Sequence, residues 1–258
     1  MHNILLLILS LFFLPLANAE DQDIAALFAK EGADGTVVIS SLDGSRTFIH
    51  NDARASQRLA VASTFKIFNT LIALEEGAIS GKDEVLAWDG TKYDFPDWNH
   101  DQTLASAFKA SCVWCYQELA RRVGKEKYPA YIHKAAYGEL HEPFEGTTFW
   151  LDGSLAISAK EQIDFLRKII QRTLPFRAAS YDTLREIMLA ESTPAYTMRA
   201  KTGWAIRVTP QVGWYVGYVE VEKEVWLFAT NLAVRSEKDL PLRQQLTRAS
   251  LQVKGIIE

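Results

Sequence analysis

The chain has 258 residues, a net charge of −4 at pH 7 and a hydrophobic fraction of 48%, which is ordinary for a globular protein. That length is enough to bury a large core in one domain or in two interleaved lobes. The slightly acidic balance, with lysine and arginine scattered along the chain, argues against nucleic acid as a partner.

Residues 1–19 predict a cleaved secretory signal peptide. The segment from Ile4 to Leu16 is almost wholly apolar, and Ala17, Asn18 and Ala19 then form an A-x-A cleavage site. A membrane-spanning helix needs about 20 apolar residues, which is more than this segment offers. We therefore expect an exported protein, periplasmic or secreted, without a membrane anchor after cleavage.

The first part of the remaining chain, 20–258, predicts a helix, a hairpin and a second helix. Residues 23–30 have amphipathic helical spacing, and residues 36–41 and 46–50 read as strands joined by an Asp-Gly turn. An apolar helical pattern then runs from Ser63 to about Glu76.

The later part of the chain predicts helices and loops as far as residue 189, followed by strands. Segments rich in β-branched and aromatic residues predict strands at 198–202, 212–221 and 225–233. An amphipathic segment predicts a final helix at 240–253. Strands at both ends predict a mixed α/β (α+β) fold. In this fold residues 20–62 and 195–258 form one antiparallel sheet flanked by helices, with an all-helical lobe at about 63–194. A functional site is expected in the cleft between the two lobes.

Ser63 and Lys66 form the S-x-x-K arrangement of serine acylases. Residues three apart share one face of a helix, so the lysine amine can reach the serine hydroxyl and act as its base if it is neutral. A lysine pKa near ~10.4 has to fall by several units for that, and apolar neighbours such as Phe65 and Phe68 favour the fall. An isolated S-x-x-K nevertheless occurs often by chance.

Three further groups are compatible with acyl transfer. Ser111 supplies a second hydroxyl that can carry a proton. Lys201, Thr202 and Gly203 offer a cation, a hydroxyl and a backbone without a Cβ, on which a carboxylate can lie. Trp150 taken alone is explained by core packing.

Cys112 and Cys115 are the only cysteines. Their C-x-x-C spacing does not complete a zinc site, because no second pair of ligands is close in the sequence. A disulfide and two buried thiols are both compatible with an exported protein.

Taken in order along the chain, these motifs resemble those of the class D, oxacillinase-type serine β-lactamases, which have the penicillin-recognising serine enzyme fold. The resemblance covers essentially the whole chain after residue 19. It includes Ser63-Thr64-Phe65-Lys66, Ser111-Cys112-Val113, Tyr137-Gly138-Glu139, Trp150-Leu151-Asp152-Gly153-Ser154-Leu155, Lys201-Thr202-Gly203 and Leu240-Pro241-Leu242-Arg243.

The resemblance implies a serine acyl-enzyme mechanism for β-lactam hydrolysis, and with it antibiotic resistance. Ser63 would be the nucleophile, and Lys66 would be carbamylated (N6-carboxylysine) and act as general base. Trp150, Val113 and Leu151 would form the dry carbamate pocket. Carbon dioxide or bicarbonate would be needed for this modification, with no bound cofactor and no metal.

The resemblance also implies how the substrate is held. Ser111 would pass a proton to the lactam nitrogen, and the backbone N–H groups of Ser63 and Trp204 would form the oxyanion hole. The residues implied for the substrate carboxylate are Lys201, Thr202, Gly203 and Arg243. The partners would be small β-lactams, penicillins of the oxacillin type included.

One position departs from the family pattern, because Glu139 stands where asparagine is common. We therefore do not assign Glu139 to the site. The alternative function is a β-lactam-sensing or penicillin-binding domain that is acylated without turnover. Oligomeric state and activity on carbapenems or extended-spectrum cephalosporins do not follow from the sequence.

Overall fold

The computed structural model describes residues 20–258, and the predicted signal peptide lies outside this range. The helices in the described range are α1 (Gln22–Lys30), α2 (Asp52–Ala55), α3 (Lys66–Glu75), α4 (Leu104–Lys109), α5 (Val113–Val123), α6 (Tyr128–Ala135), α7 (Ala159–Gln171), α8 (Ala178–Ile187) and α9 (Leu242–Val253). The strands are β1 (Gly35–Ser41), β2 (Thr47–His50), β3 (Leu59–Ala60), β4 (Val85–Leu86), β5 (Gln102–Thr103), β6 (Glu139–Leu140), β7 (Leu155–Ile157), β8 (Leu189–Ser192), β9 (Thr197–Ala205), β10 (Gln211–Val221) and β11 (Glu224–Val234).

The largest sheet within residues 20–258 has six antiparallel strands in the order β2-β1-β11-β10-β9-β8. Side chains alternate between its two faces, as the period of a strand requires. Phe228 packs with α1 and α9 on one face, whereas Leu227 and Ala229 pack into the larger core on the other face. The predicted antiparallel sheet flanked by helices is thus confirmed.

Helix α3 lies at the centre of the larger core. Every residue from Lys66 to Leu74 is buried, so this helix is enclosed on all sides. An apolar helix without a polar face is stable only in such surroundings. The helical pattern predicted from Ser63 begins as a 3-10 turn at Ala62–Phe65, and the α-helix follows at Lys66.

Short strands in the middle of the chain are the main difference from the sequence prediction. Strand β7 pairs with both β3 and β6, and β4 pairs with β5, where helices and loops were expected. Strand β8 joins the main sheet from within the range predicted to form the helical lobe. Strand β9 continues to Ala205, so Lys201, Thr202 and Gly203 lie within it and not at its end.

Residues 20–258 offer neither a membrane-spanning helix nor a cluster of metal ligands. No described helix has the length and hydropathy to cross a membrane. No group of three or more histidine, cysteine, aspartate or glutamate side chains in that range could hold a metal ion.

Candidate active site

Ser63 and Lys66 lie together at the entrance to the central helix. Ala62, immediately before Ser63, has a left-handed backbone with φ of 49°, which non-glycine residues adopt rarely and often at functional sites. The Nζ atom of Lys66 is 3.0 Å from the Oγ atom of Ser63. This is hydrogen-bond distance, as the pairing of a nucleophile with its base requires.

The environment of Lys66 disfavours its charge. Its side chain is 1% exposed, and burial, with the nearby charge of Lys201 as the second cause, holds its pKa well below the ordinary value for lysine. No carboxylate within residues 20–258 forms an ion pair with Lys66. A neutral amine beside a serine hydroxyl can accept its proton.

Lys201 and Arg243 place two further basic side chains next to this pair. Burial, followed by the charge of Arg243, lowers the pKa of Lys201 to about 7. Burial also lowers the pKa of Arg243 to about 10. Its Nη1 atom donates to the carbonyl oxygen of Gly203 at 2.6 Å, while its Nε atom is buried without a hydrogen-bond partner in the described chain. Neither Lys201 nor Arg243 forms an ion pair with a carboxylate within residues 20–258, so the site suits an anionic ligand.

Ser111 enters the site from the junction between α4 and α5. Its Oγ atom accepts a hydrogen bond from Lys201 Nζ at 3.0 Å. Lys201 Nζ also donates to the carbonyl oxygen of Thr202 at 3.0 Å. The structure thus brings both serines and both lysines of the sequence prediction into one site.

Strand β9 borders the site along an open edge. In the described chain β8 pairs with β9 only as far as Arg199, so the edge from Ala200 onward has no partner strand on that side. The N–H of Ala200 points to this side and donates to Met188. Because alternate N–H groups of a strand point the same way, that of Trp204 is directed toward the same open edge.

Gly203 lets β9 approach the 3-10 turn that carries Ser63. A Cβ atom built on Gly203 would lie 3.1 Å from Thr64 Cγ2 and 3.3 Å from the Thr64 backbone nitrogen. These distances are shorter than ordinary van der Waals contacts, so a side chain here would push the strand and the turn apart. Glycine at this position therefore keeps the open edge close to Ser63.

Trp150 lies in the apolar core beside Phe65, the residue immediately before Lys66. Its ring is fully buried and stacks on Phe65, with the ring centroids 5.8 Å apart. Its indole Nε1 atom is buried without a hydrogen-bond partner in the described residues. Since buried indole N–H groups usually find a partner, this donor marks an incomplete polar site.

A cavity of about 600 Å³ unites these groups. The predicted site residues that line it are Ser63, Ser111, Val113, Leu151, Thr202, Gly203, Trp204 and Arg243. Lys66, Lys201 and Trp150 do not line the cavity and lie buried behind it. All the predicted site residues are thus in its wall or directly behind the wall.

The cavity rim has aromatic residues that the sequence analysis did not assign to the site. Tyr93, Phe95 and Trp98 line it on one side, and Ile206 and Leu240 line it elsewhere. The aromatic cluster between residues 93 and 98 was the available signal, but short turns carry no periodic pattern that would place them in space. Phe95 is 50% exposed and Ile206 is 53% exposed, so the rim presents apolar surface to the solvent.

Two indole hydrogen bonds connect Trp98 of this rim to residues on either side of Ser111. The indole of Trp98 donates to the carbonyl oxygen of Ala110 at 3.0 Å. The indole of Trp114 donates to the carbonyl oxygen of Trp98 at 2.9 Å. The rim turn and the residues on both sides of Ser111 are therefore held together.

Two other sequence observations are resolved by the structure. Glu139 does not line the cavity; it is exposed and pairs with Arg58, with 2.6 Å between carboxylate and guanidinium. Cys112 and Cys115 form a disulfide, the first of the two possibilities left open.

Comparison with known proteins gives consistent matches. Residues 16–252 match the family described as penicillin binding protein transpeptidase domain. The chain is 39% identical to β-lactamase OXA-48 of Klebsiella pneumoniae over 238 residues, which are 92% of this chain and 90% of that protein. It is also 33% identical over 246 residues to regulatory protein BlaR1 of Bacillus licheniformis, covering 95% of this chain and 41% of that protein. The crystal structure of a class D β-lactamase YbXI from Nostoc superposes with a TM-score of 0.88 at 42% identity, covering 91% of this chain and 99% of that one.

Proposed function

The chain belongs to the class D β-lactamases and hydrolyses β-lactams, and we propose that it does so through an acyl-enzyme on Ser63 with a carbamylated Lys66 as general base. The observation that carries this proposal is the buried, charge-disfavoured Lys66 amine at 3.0 Å from Ser63 Oγ. Carbon dioxide adds only to a neutral amine, and the burial that lowers the pKa of Lys66 favours that form.

The surroundings of Lys66 fit a carbamate. The Trp150 indole N–H, which has no partner among residues 20–258, is a donor for a new anion, and the residues around it are apolar. Val113 and Leu151 lie at the cavity surface and would exclude bulk water from the modified lysine. The carbamate would supply a base that takes the Ser63 proton and later activates the hydrolytic water.

Acylation also needs a proton for the departing amine. When Ser63 Oγ bonds to the lactam carbonyl carbon, the C–N bond breaks and the nitrogen takes a proton. Ser111 is suited to deliver it, because its hydroxyl accepts a hydrogen bond from Lys201 and can donate its own hydrogen toward the cavity. Lys201 would then replace the proton that Ser111 gives up.

The oxyanion and the substrate carboxylate would lie along the open edge of β9. The N–H groups of Ser63 and Trp204 are proposed to bind the developing oxyanion, a contribution worth about 10² to 10³ in turnover. Thr202 and Arg243 are proposed to bind the carboxylate, and Lys201, behind the cavity wall, to contribute charge nearby. Arg243 Nε, which has no partner among the described residues, is an available donor.

The rim supports a preference for penicillins with an apolar aromatic side chain, as in oxacillin. Phe95, Trp98 and Leu240 offer apolar surface at the mouth of the cavity, on which an aryl group can pack. Export by the segment at 1–19 stays part of this proposal and agrees with a substrate that is encountered outside the cytoplasm.

The test is the initial rate of hydrolysis of a chromogenic cephalosporin by protein that was acidified, dialysed and assayed with or without bicarbonate. We expect bicarbonate to restore turnover, and Lys66→Ala to lower kcat by about 10² to 10⁴-fold. Lys223→Ala, in an exposed turn remote from the cavity, is the matched control and should keep the full rate.

The alternative function predicts a different pattern. A sensor or penicillin-binding domain would take up one equivalent of penicillin on Ser63 and release it slowly, without dependence on bicarbonate. Stoichiometric labelling without turnover would exclude the proposed mechanism. Ser63→Ala should abolish labelling in either case.

A further inference from the structure

The Cys112–Cys115 disulfide is built around the segment that carries Ser111. Both cysteines are fully buried, with their Cα atoms 5.5 Å apart, and the bridge closes the first turn of α5. The Cys112 sulfur also accepts the N–H of Cys115 at 3.2 Å, as an N-cap of this helix. Ser111 is adjacent to one anchor of the bridge, and Val113 lies inside it.

Ser111 has a backbone conformation that its residue type disfavours. Its φ is 56°, in the left-handed region. The N–H of Ser111 bonds to Phe108 O at 3.2 Å, and that of Cys112 bonds to Ala107 O at 2.9 Å. These two bonds are the Schellman pattern that ends α4, in which the left-handed position is usually glycine. A serine here needs further restraint from its neighbours.

Cys112 combines two roles at this junction. It closes the end of α4 through its backbone N–H and caps the start of α5 through its sulfur. The disulfide fixes this one residue to the next turn, so the backbone following Ser111 cannot rotate independently of α5. With the backbone held in this way, Ser111 Oγ lies 3.0 Å from Lys201 Nζ.

We propose that the Cys112–Cys115 disulfide is a positioning element that holds the Ser111 hydroxyl against Lys201 for proton delivery during acylation. This inference rests on the proton-donor role given to Ser111 in the proposed function. Reduction by a dithiol transfers two electrons and two protons to the bridge, breaks the S–S bond and leaves two thiols, while the dithiol becomes a cyclic disulfide. Ser111 can then relax to a negative φ and move its hydroxyl away from Lys201, so acylation depends on the redox state.

The decisive experiment is a double-mutant cycle. One change is Ser111→Ala, and the other is Cys112→Ser with Cys115→Ala, which removes the bridge but keeps an oxygen acceptor for the cap. Acylation and deacylation rate constants are measured separately with benzylpenicillin in single turnovers. We expect loss of the bridge to slow acylation about tenfold, equivalent to about 1.4 kcal/mol, and to leave deacylation within twofold.

In the Ser111→Ala background, loss of the bridge should change acylation by less than twofold, because the hydroxyl it positions is absent. Additive effects in the cycle would refute the inference. An equal fall in acylation and deacylation would also refute it, since it indicates general loosening of the pocket. Full acylation by Ser111→Ala in the oxidised chain would instead refute the proposed role of Ser111.

A second measurement does not require the cysteine variant to fold. The unsubstituted protein is reduced with dithiothreitol, assayed, and then reoxidised. We expect slower acylation when the thiols are free and recovery on reoxidation; an unchanged acylation rate with both thiols free would overturn the inference. Alkylation of two thiols in denatured protein that was never reduced would overturn it as well.

Discussion

Replacement of Trp150 by phenylalanine tests the proposed carbamate pocket most directly. The indole Nε1 is buried without a partner in the described residues, so an anion on Lys66 would give it one. A hydrogen bond to a charged group contributes about 1.5–3 kcal/mol, which corresponds to a factor of roughly 10 to 150 in affinity. We expect Trp150→Phe to raise the bicarbonate concentration for half-maximal activity by that factor.

Trp214→Phe is the matched control for this change. Trp214 is also fully buried, but its indole N–H donates to the Ala60 carbonyl oxygen at 2.9 Å. Its replacement leaves that acceptor unpaired and should lower the free energy of unfolding by about 1–3 kcal/mol at every bicarbonate concentration. Trp150→Phe should cost less stability without bicarbonate, because it removes an unpaired donor.

The assay combines a bicarbonate titration of activity with thermal unfolding at each concentration. Binding to the folded state alone raises the melting temperature with ligand concentration, so the unsubstituted chain should gain stability from bicarbonate and Trp150→Phe should gain less. A half-saturation constant that is unchanged in Trp150→Phe, or changed equally in Trp214→Phe, would refute this account of the pocket.

Three further predictions concern charge, backbone and surface. The pKa of Lys201 is lowered to about 7, so this side chain loses its charge above that pH and KM for penicillin should rise between pH 7 and 9. Lys201→Arg keeps the charge and should flatten this profile. A flat profile for the unsubstituted protein would contradict the prediction. Gly138→Ala should lower the free energy of unfolding by at least ~2 kcal/mol more than Gly77→Ala. Both glycines have positive φ, but a Cβ on Gly138 would collide with a backbone carbonyl, whereas Gly77 has open space around it; equal losses in urea unfolding would disprove the collision. Glu139→Asn should change kcat less than twofold and stability by no more than about 1 kcal/mol, because its pairing with Arg58 is exposed; a larger loss of kcat would place this carboxylate in the site.

The elements that could be predicted from sequence are those whose pattern repeats over many residues. Strands β10 and β11 begin and end within one residue of the predicted bounds, because β-branched and aromatic residues fill them and a short polar turn separates them. The pairing of β3 with β7 was not predictable, since two or three residues carry no period and the partners are remote in sequence.

In the site, likewise, only contacts between residues close in the sequence could be predicted. The S-x-x-K spacing predicts that Ser63 and Lys66 lie together, because both are in one turn. Its electrostatics depend on contacts from elsewhere in the chain. Lys66 lies 5.0 Å from the ring centroid of Tyr116, and its pKa is lowered partly by Lys201. Neither neighbour is indicated by the residues around Lys66.

The paired indole bonds of Trp98 and Trp114 have a consequence for how this enzyme can evolve. Trp98 lines the cavity where the substrate side chain is proposed to pack, and its indole also donates to the backbone immediately before Ser111. A substitution of Trp98 that widens the mouth for a bulkier antibiotic therefore also releases a restraint on Ser111, the proposed proton donor. Variants selected for broader resistance at this position should turn over their original substrates more slowly, and compensating changes are expected in the α4–α5 junction.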